Sequence, residues 1–159
     1  ILDNNAHLNK YEQFDIEAFK FRHEKFSELI PKGSIVLDIG ANIGCVSIFL
    51  AKKFPNIKIY AFEAHPINYD SFLHNIELNG VDNIIPINKA VYNKTGEILT
   101  ISLDENNTGA SSCFVIRGEK VANIETISLD DILTSNNLMK NQYYNFIYQN
   151  LPHNLQNNY

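Results

Sequence analysis

Residues 36–54, VLDIGANIGCVSIFLAKKF, constrain the fold more than any other stretch. The run 34–39 reads as a short central strand of a parallel sheet, buried on both faces. It breaks at Gly40 and Gly44, four positions apart, and continues as a helix that is apolar nearly all round: Val46, Ile48, Phe49, Leu50. That helix ends in Lys52-Lys53 before Pro55, and cations in a last turn suit the helix dipole. The scheme then repeats. Residues 57–62 form a strand closed by Glu63, and Pro66 fits the first position of a second helix. Tyr69, Phe72, Leu73 and Ile76 make one helical stripe, Gly80 suits a C-cap, and 83–87 reads as a third strand. A β-α-β-α-β order implies a parallel sheet with right-handed crossovers.

A strand, a glycine turn and a helix, with an acid at the end of the next strand, describe a nucleoside-binding crevice. The acid is Glu63, 19 positions past Gly44, and its two oxygens can accept both hydroxyls of a ribose. A dinucleotide fingerprint would place glycines at 40, 42 and 45, where this chain has Gly40, Asn42 and Cys45. The pattern present is D-x-G-x-N-x-G. Asp38 would repel a pyrophosphate at a helix N-terminus that otherwise favours anions, which disfavours a nicotinamide oxidoreductase. S-adenosylmethionine carries no phosphate; beside its adenosine it has an ammonium, a sulfonium and a carboxylate. An aspartate can stabilise the cationic part while the turn amides take the carboxylate, and glycines at 40 and 44 permit close approach. Asp38 alone also admits a turn or helix-capping role. Its pairing with Glu63 favours the cofactor.

With 159 residues the chain is long enough for one domain with a real core. A net charge of −5 with Lys and Arg scattered along the chain argues against a nucleic-acid surface. No apolar run is long enough for a membrane span and no signal-peptide pattern opens the chain, so no membrane partner is expected. Cys45 and Cys113 match no metal spacing, and a cytoplasmic location is the default. The chain starts at Ile1, which suggests a fragment or a processed product.

Residues 1–14 read as a polar lead-in, and Ile16, Phe19, Phe26, Leu29 and Ile30 follow helical spacing behind Asp15. Beyond the third strand, 97–103, 112–116 and 121–127 read as short strands joined by turns. Ser128 with Asp131 resembles a capping box that opens a short helix, which explains the Asp130-Asp131 pair without a metal. Residues 144–148 form one more strand, and 149–159 a polar tail. His65 reads as a loop histidine beside Glu63, and Cys45 as buried packing within its helix.

VLDIGANIG, AFEAHP, NYDSFLHNIELNG, NKAVYNKTGE, NTGASS and TISLDDIL together resemble the FkbM family of S-adenosylmethionine-dependent methyltransferases, over residues 14–133. The resemblance implies an α/β fold, the Rossmann-like doubly wound sheet of class I methyltransferases, with an inserted β-hairpin region. It implies Asp38, Gly40, Ala41, Asn42, Gly44 and Glu63 as cofactor contacts and Asn88 on the adenine side. Thr108, Gly109, Ser111 and Ser112 would lie towards the acceptor, a small-molecule or glycan hydroxyl methylated on oxygen. Two departures stand out. Ala64 replaces a common proline, and 144–148 is followed by Gln149-Asn150 where the family has acidic residues. The expected organisation is a cofactor-binding part over 15–148, truncated after about the fourth parallel strand, with a non-family tail. A catalytically inactive remnant is the alternative.

Overall fold

Period-two alternation of side chains on buried strands sorts this sequence into two cores on opposite faces of one sheet. The computed structural model describes residues 30–103, 121–135 and 144–148. In chain order the elements are β1 (Ile35–Ile39), α1 (Cys45–Lys53), β2 (Lys58–Phe62), α2 (Pro66–Asn79), β3 (Ile84–Ile87), β4 (Ala90–Tyr92), β5 (Ile98–Ser102), β6 (Val121–Ser128), α3 (Leu129–Ser135) and β7 (Tyr144–Tyr148). Four strands form a parallel sheet ordered β3-β2-β1-β7. The expected central strand and its fourth-strand neighbour are therefore both in place. The arrangement is a Rossmann-like α/β fold.

Val36, Ile59, Ala61 and Ile84 face one way and pack against Val46, Ile48 and Leu50 of α1 and Phe72 of α2. Ile35, Leu37, Tyr60 and Phe62 face the other way, towards Ile132 of α3 and Val91 and Ile127 of β4 and β6. Covering both faces is what a parallel sheet requires, because its strands have no solvent side. The register pairs Asp38 with Ala61 and Ile39 with Phe62. Asp38 therefore lies on the α1/α2 face, near the C-terminal end of β1.

The inserted region is more than a hairpin. β5 and β6 are antiparallel, as expected, but β4 adds in parallel to the other side of β6. With only three residues, and two residues separating it from β3, β4 is too short to show an alternation of its own. The expected helix within 15–30, the strand at 112–116, the lead-in and the tail lie outside the described residues, Ile30 excepted. α3 starts as expected, since the Ser128 hydroxyl accepts the Asp131 N–H at 3.1 Å. The reciprocal half differs: the Asp131 carboxylate accepts from the Thr95 hydroxyl, whose oxygen in turn accepts the Ser128 N–H at 2.8 Å.

Gly44 shows how tightly the helices meet. A Cβ built there would lie 2.0 Å from a ring carbon of Phe72, and its φ of +87° is left-handed. The glycine thus makes room for α2 at the start of α1. Gly44→Ala is expected to destabilise the fold by roughly 2–4 kcal/mol, combining overpacking with left-handed strain. In urea unfolding, adding Phe72→Leu should recover part of that loss. Strict additivity of the two changes would show that the contact is not the cause.

Candidate functional site

The C-terminal ends of β1 and β2 bring the sequence-marked residues together. Asp38 is wholly buried, with its Oδ2 accepting the Ser47 hydroxyl at 2.7 Å. Gly44, the N-cap of α1, has no side chain to cap with. Asp38 reaches from β1 to the third residue of that helix, where it takes the Ser47 hydroxyl. It uses one oxygen; Oδ1 is buried and has no hydrogen-bond partner.

Glu63 follows β2 on the same face as Asp38, since it stands two residues after Ala61. One carboxylate oxygen accepts the Asn42 N–H at 2.8 Å and the other the His65 N–H at 2.8 Å. Glu63 therefore fastens the glycine turn to the start of α2. Each carboxylate oxygen keeps a further lone pair for a ligand. Asn42 sits in the left-handed region (φ +53°), a conformation its short polar side chain tolerates.

Most of the turn amides are engaged within the fold. Gly40 and Ala41 both donate to the Phe62 carbonyl, at 2.8 and 2.9 Å, and Gly44 donates to Ala41 at 2.9 Å. With Asn42 on Glu63, four of the turn's five N–H groups have internal acceptors. The Asn88 side-chain amide donates to the Glu63 and Ala64 carbonyls at 2.7 and 3.3 Å. It holds the backbone that carries Glu63. Thr108, Gly109, Ser111 and Ser112 lie outside the described residues.

His65 is not a plain loop residue. It is the buried N-cap of α2, where Nδ1 accepts the Asn68 N–H at 3.4 Å and Nε2 has no partner. Its position one residue before Pro66, a favoured first helical residue, was the signal for this role. Cys45 is the first residue of α1 and half-buried rather than enclosed. Ser47 and Asn75 were not singled out in the sequence. Asn75, fully buried, donates to the Ile43 carbonyl at 3.0 Å and braces the turn from α2.

Electrostatics give the site its character. Burial pushes the Asp38 carboxyl up to about 6, with the Glu63 charge adding to the rise and the Ser47 hydrogen bonds opposing it. Glu63 is also raised by burial, against the N–H groups of His65 and Asn42. Burial lowers His65. Among the described residues the two carboxylates are held by N–H and O–H donors and by no lysine or arginine. A buried anionic pair without a counter-cation, keeping one unused oxygen, fits the cationic end of S-adenosylmethionine. Among the described residues no cluster could hold a metal ion and no helix is long and apolar enough to cross a membrane.

A carboxyl raised in the folded state binds its proton more tightly folded than unfolded. Its contribution to stability is full below the unfolded value of ~3.9 and is lost as pH rises through about 6. Asp38→Asn is therefore expected to stabilise the ligand-free protein at pH 7.5 by about 1–3 kcal/mol, a gain that disappears near pH 4. His65, whose shift has the opposite sense, is common to both proteins and cancels in the difference. Thermal unfolding across pH 4–8 reads this out. A variant less stable than the parent at pH 7.5 would contradict it.

Comparison with known proteins bears on the family to which the chain belongs. The family model of the TRM5/TYW2 methyltransferase domain matches residues 14–101, more than half of the chain. Methyltransferase sdnD of Sordaria araneosa is 42% identical over 50 residues, 31% of this chain and 19% of that protein. A tRNA (guanine(37)-N(1))-methyltransferase of Macaca mulatta is 34% identical over 65 residues, 41% of this chain and 12% of that protein. TYW2 of M. jannaschii, solved in complex with AdoMet, is 32% identical with a TM-score of 0.41, over 49% of this chain and 34% of that one. The matched stretch thus spans about a fifth or less of the length of these two sequence relatives.

The family found is not the FkbM family that the motifs resemble, although both are methyltransferases. The expectation of no nucleic-acid partner, with a small-molecule or glycan hydroxyl as acceptor, is overturned by the tRNA-methylating relative. The physical reason is that charge over a donor-binding stretch reports little on the acceptor surface, which other parts of a methyltransferase can supply. The cofactor expectation stands, because a methyltransferase domain implies S-adenosylmethionine. With its Gly40–Gly44 turn and its Asp38–Glu63 pair at the ends of parallel strands, this chain belongs to the TRM5/TYW2 methyltransferase domain family.

Proposed function

We propose that this chain is the donor-binding part of an S-adenosylmethionine-dependent methyltransferase that modifies RNA. One observation carries the reading: two buried carboxylates, on one face at the C-terminal ends of adjacent parallel strands, lack any cationic partner among the described residues. A phosphate-bearing dinucleotide would meet repulsion there. A nucleoside bearing an ammonium and a sulfonium would meet attraction. The RNA acceptor is inferred from the tRNA (guanine(37)-N(1))-methyltransferase relative, and the FkbM resemblance of TISLDDIL lies beyond the family match.

In this reading Glu63 accepts the ribose hydroxyls while keeping its two backbone N–H donors, which hold it in place before the ligand arrives. Gly40, Ala41, Asn42 and Gly44 shape the turn under the ligand, and Asn88 steadies the peptide that carries Glu63. Asp38 presents Oδ1 to the positive end. When bound, S-adenosylmethionine supplies an electrophilic methyl on its sulfonium. The chain contributes position and a fixed field, which need no reorganisation during transfer. We assign the cofactor-binding part to residues 15–148.

Calorimetric titration with S-adenosylmethionine, S-adenosylhomocysteine and NAD tests the reading. Both sulfur ligands should bind more tightly than NAD, and Glu63→Ala should weaken them by about 1–3 kcal/mol, the range for a lost charged hydrogen bond. Tighter binding of NAD would reverse the assignment. In a radiolabelled-methyl assay, transfer should go to tRNA transcripts; label entering only glycans or small hydroxyl compounds would defeat the RNA part.

A further inference from the structure

Ser47 belongs to none of the roles assigned so far. It lies in the first turn of α1, wholly buried, with its hydroxyl 2.7 Å from Asp38 Oδ2. Its backbone N–H also acts on the same carboxylate. The Ser47 hydroxyl therefore holds Asp38 from the helix side, and Oδ1 stays unpartnered. A buried serine in an otherwise apolar helix costs desolvation of its hydroxyl, and here that cost is offset only through Asp38.

We propose that Ser47 is a positioning residue that keeps Asp38 ionised and fixes which of its oxygens faces the positive end of the methyl donor. The inference rests on the reading of Asp38 as the partner of that positive end. Without the Ser47 hydroxyl, Asp38 would have burial and the Glu63 charge against its ionised form and only a backbone N–H in its favour. The groups around Asp38 are few. Among the described residues, Glu63, beyond β2, is the charged side chain acting on it. His65 caps α2 beside Glu63, Cys45 starts α1, and the remaining titratable groups of α2 (Tyr69, Asp70, His74, Glu77) are half-buried or exposed. Lys52 and Lys53 stand in the last turn of α1, exposed. With no cation among these to hold the charge, the serine hydroxyl is the main stabiliser of the carboxylate.

The consequence is a pH dependence that Ser47 sets. A carboxyl pushed up to about 6 is mostly ionised at pH 7.5 and mostly neutral at pH 5. Affinity for the cationic donor should therefore fall as pH drops through that range. Losing a hydrogen bond to a charged group should move the midpoint upward by about one to two pH units.

Two measurements on the full chain test this, comparing the parent with Ser47→Ala, Ser47→Thr and Asp38→Asn. Carbon-13 NMR titration of the Asp38 side-chain carboxyl, without ligand, should show its midpoint raised in Ser47→Ala and returned towards the parent value in Ser47→Thr. Calorimetric affinity for S-adenosylmethionine should follow the same shift, with Ser47→Ala close to the parent at pH 9, and Asp38→Asn should lose most of the pH dependence. An unchanged NMR midpoint in Ser47→Ala would overturn the proposal, as would an affinity loss equal at every pH, which is what a purely structural hydroxyl would give. If Ser47→Ala fails to fold, Ser47→Cys, with its weaker donor, should show an intermediate upward shift, and no shift would again overturn it. A raised NMR midpoint together with no S-adenosylmethionine binding by the parent would uphold the Ser47–Asp38 coupling and sink the donor-site reading instead, and with it the role assigned to Ser47.

Discussion

Two buried carboxylates that no lysine or arginine among the described residues neutralises are the constraint around which this structure is arranged. Burying a charge without a counter-charge is expensive, and proteins tolerate it where a ligand or a reaction makes use of it. Here the cost is reduced by a few well-placed donors. Ser47 holds Asp38, and the N–H groups of Asn42 and His65 hold Glu63. None of these donors carries a positive charge. In the proposed reading the site therefore prefers a cation, which would separate a sulfonium-bearing nucleoside from a pyrophosphate-bearing one.

The rest of the fold serves to keep those donors where they are. Parallel pairing of β1 with β2 sets Asp38 and Glu63 on the same face, and both faces must be covered for such a sheet to exist. Close contact of α1 with α2, through Gly44 and Phe72, places Ser47 beneath Asp38. Asn75 and Asn88 tie the turn and the Glu63 peptide to α2 and to the end of β3. Side-chain amides do this well, because they neither add charge nor titrate beside the carboxylates.

Much of this was legible in the sequence because the signals were local. The glycines of the turn, Pro66, Gly80 and the apolar runs around Asp38 and Glu63 mark strand, turn and helix directly, and a period of two gives the faces. What escaped were features that depend on tertiary contact. The need for glycine at 44 comes from Phe72, 28 positions away. The engagement of the turn amides with Phe62 and Glu63 appears only once β1 and β2 are paired. The three residues of β4 carry no pattern, and Ser47 looks in sequence like a polar interruption of an apolar helix. The acceptor was misjudged for another reason. Net charge over the chain does not by itself report on an acceptor surface, and the motif resemblance pointed to another family of methyltransferases.

The central claim is that Asp38 and Glu63 act together as a cation-accepting nucleoside site. A crystal structure of the chain with S-adenosylhomocysteine, which retains the ammonium, the carboxylate and the ribose, tests it most directly. The expected result is a ligand at the C-terminal ends of β1 and β2, with both ribose hydroxyls within hydrogen-bond distance of Glu63 and the ammonium facing Asp38 Oδ1, directly or through one water. A ligand bound with its ribose away from Glu63, or with its carboxylate rather than its ammonium towards Asp38, would contradict the account.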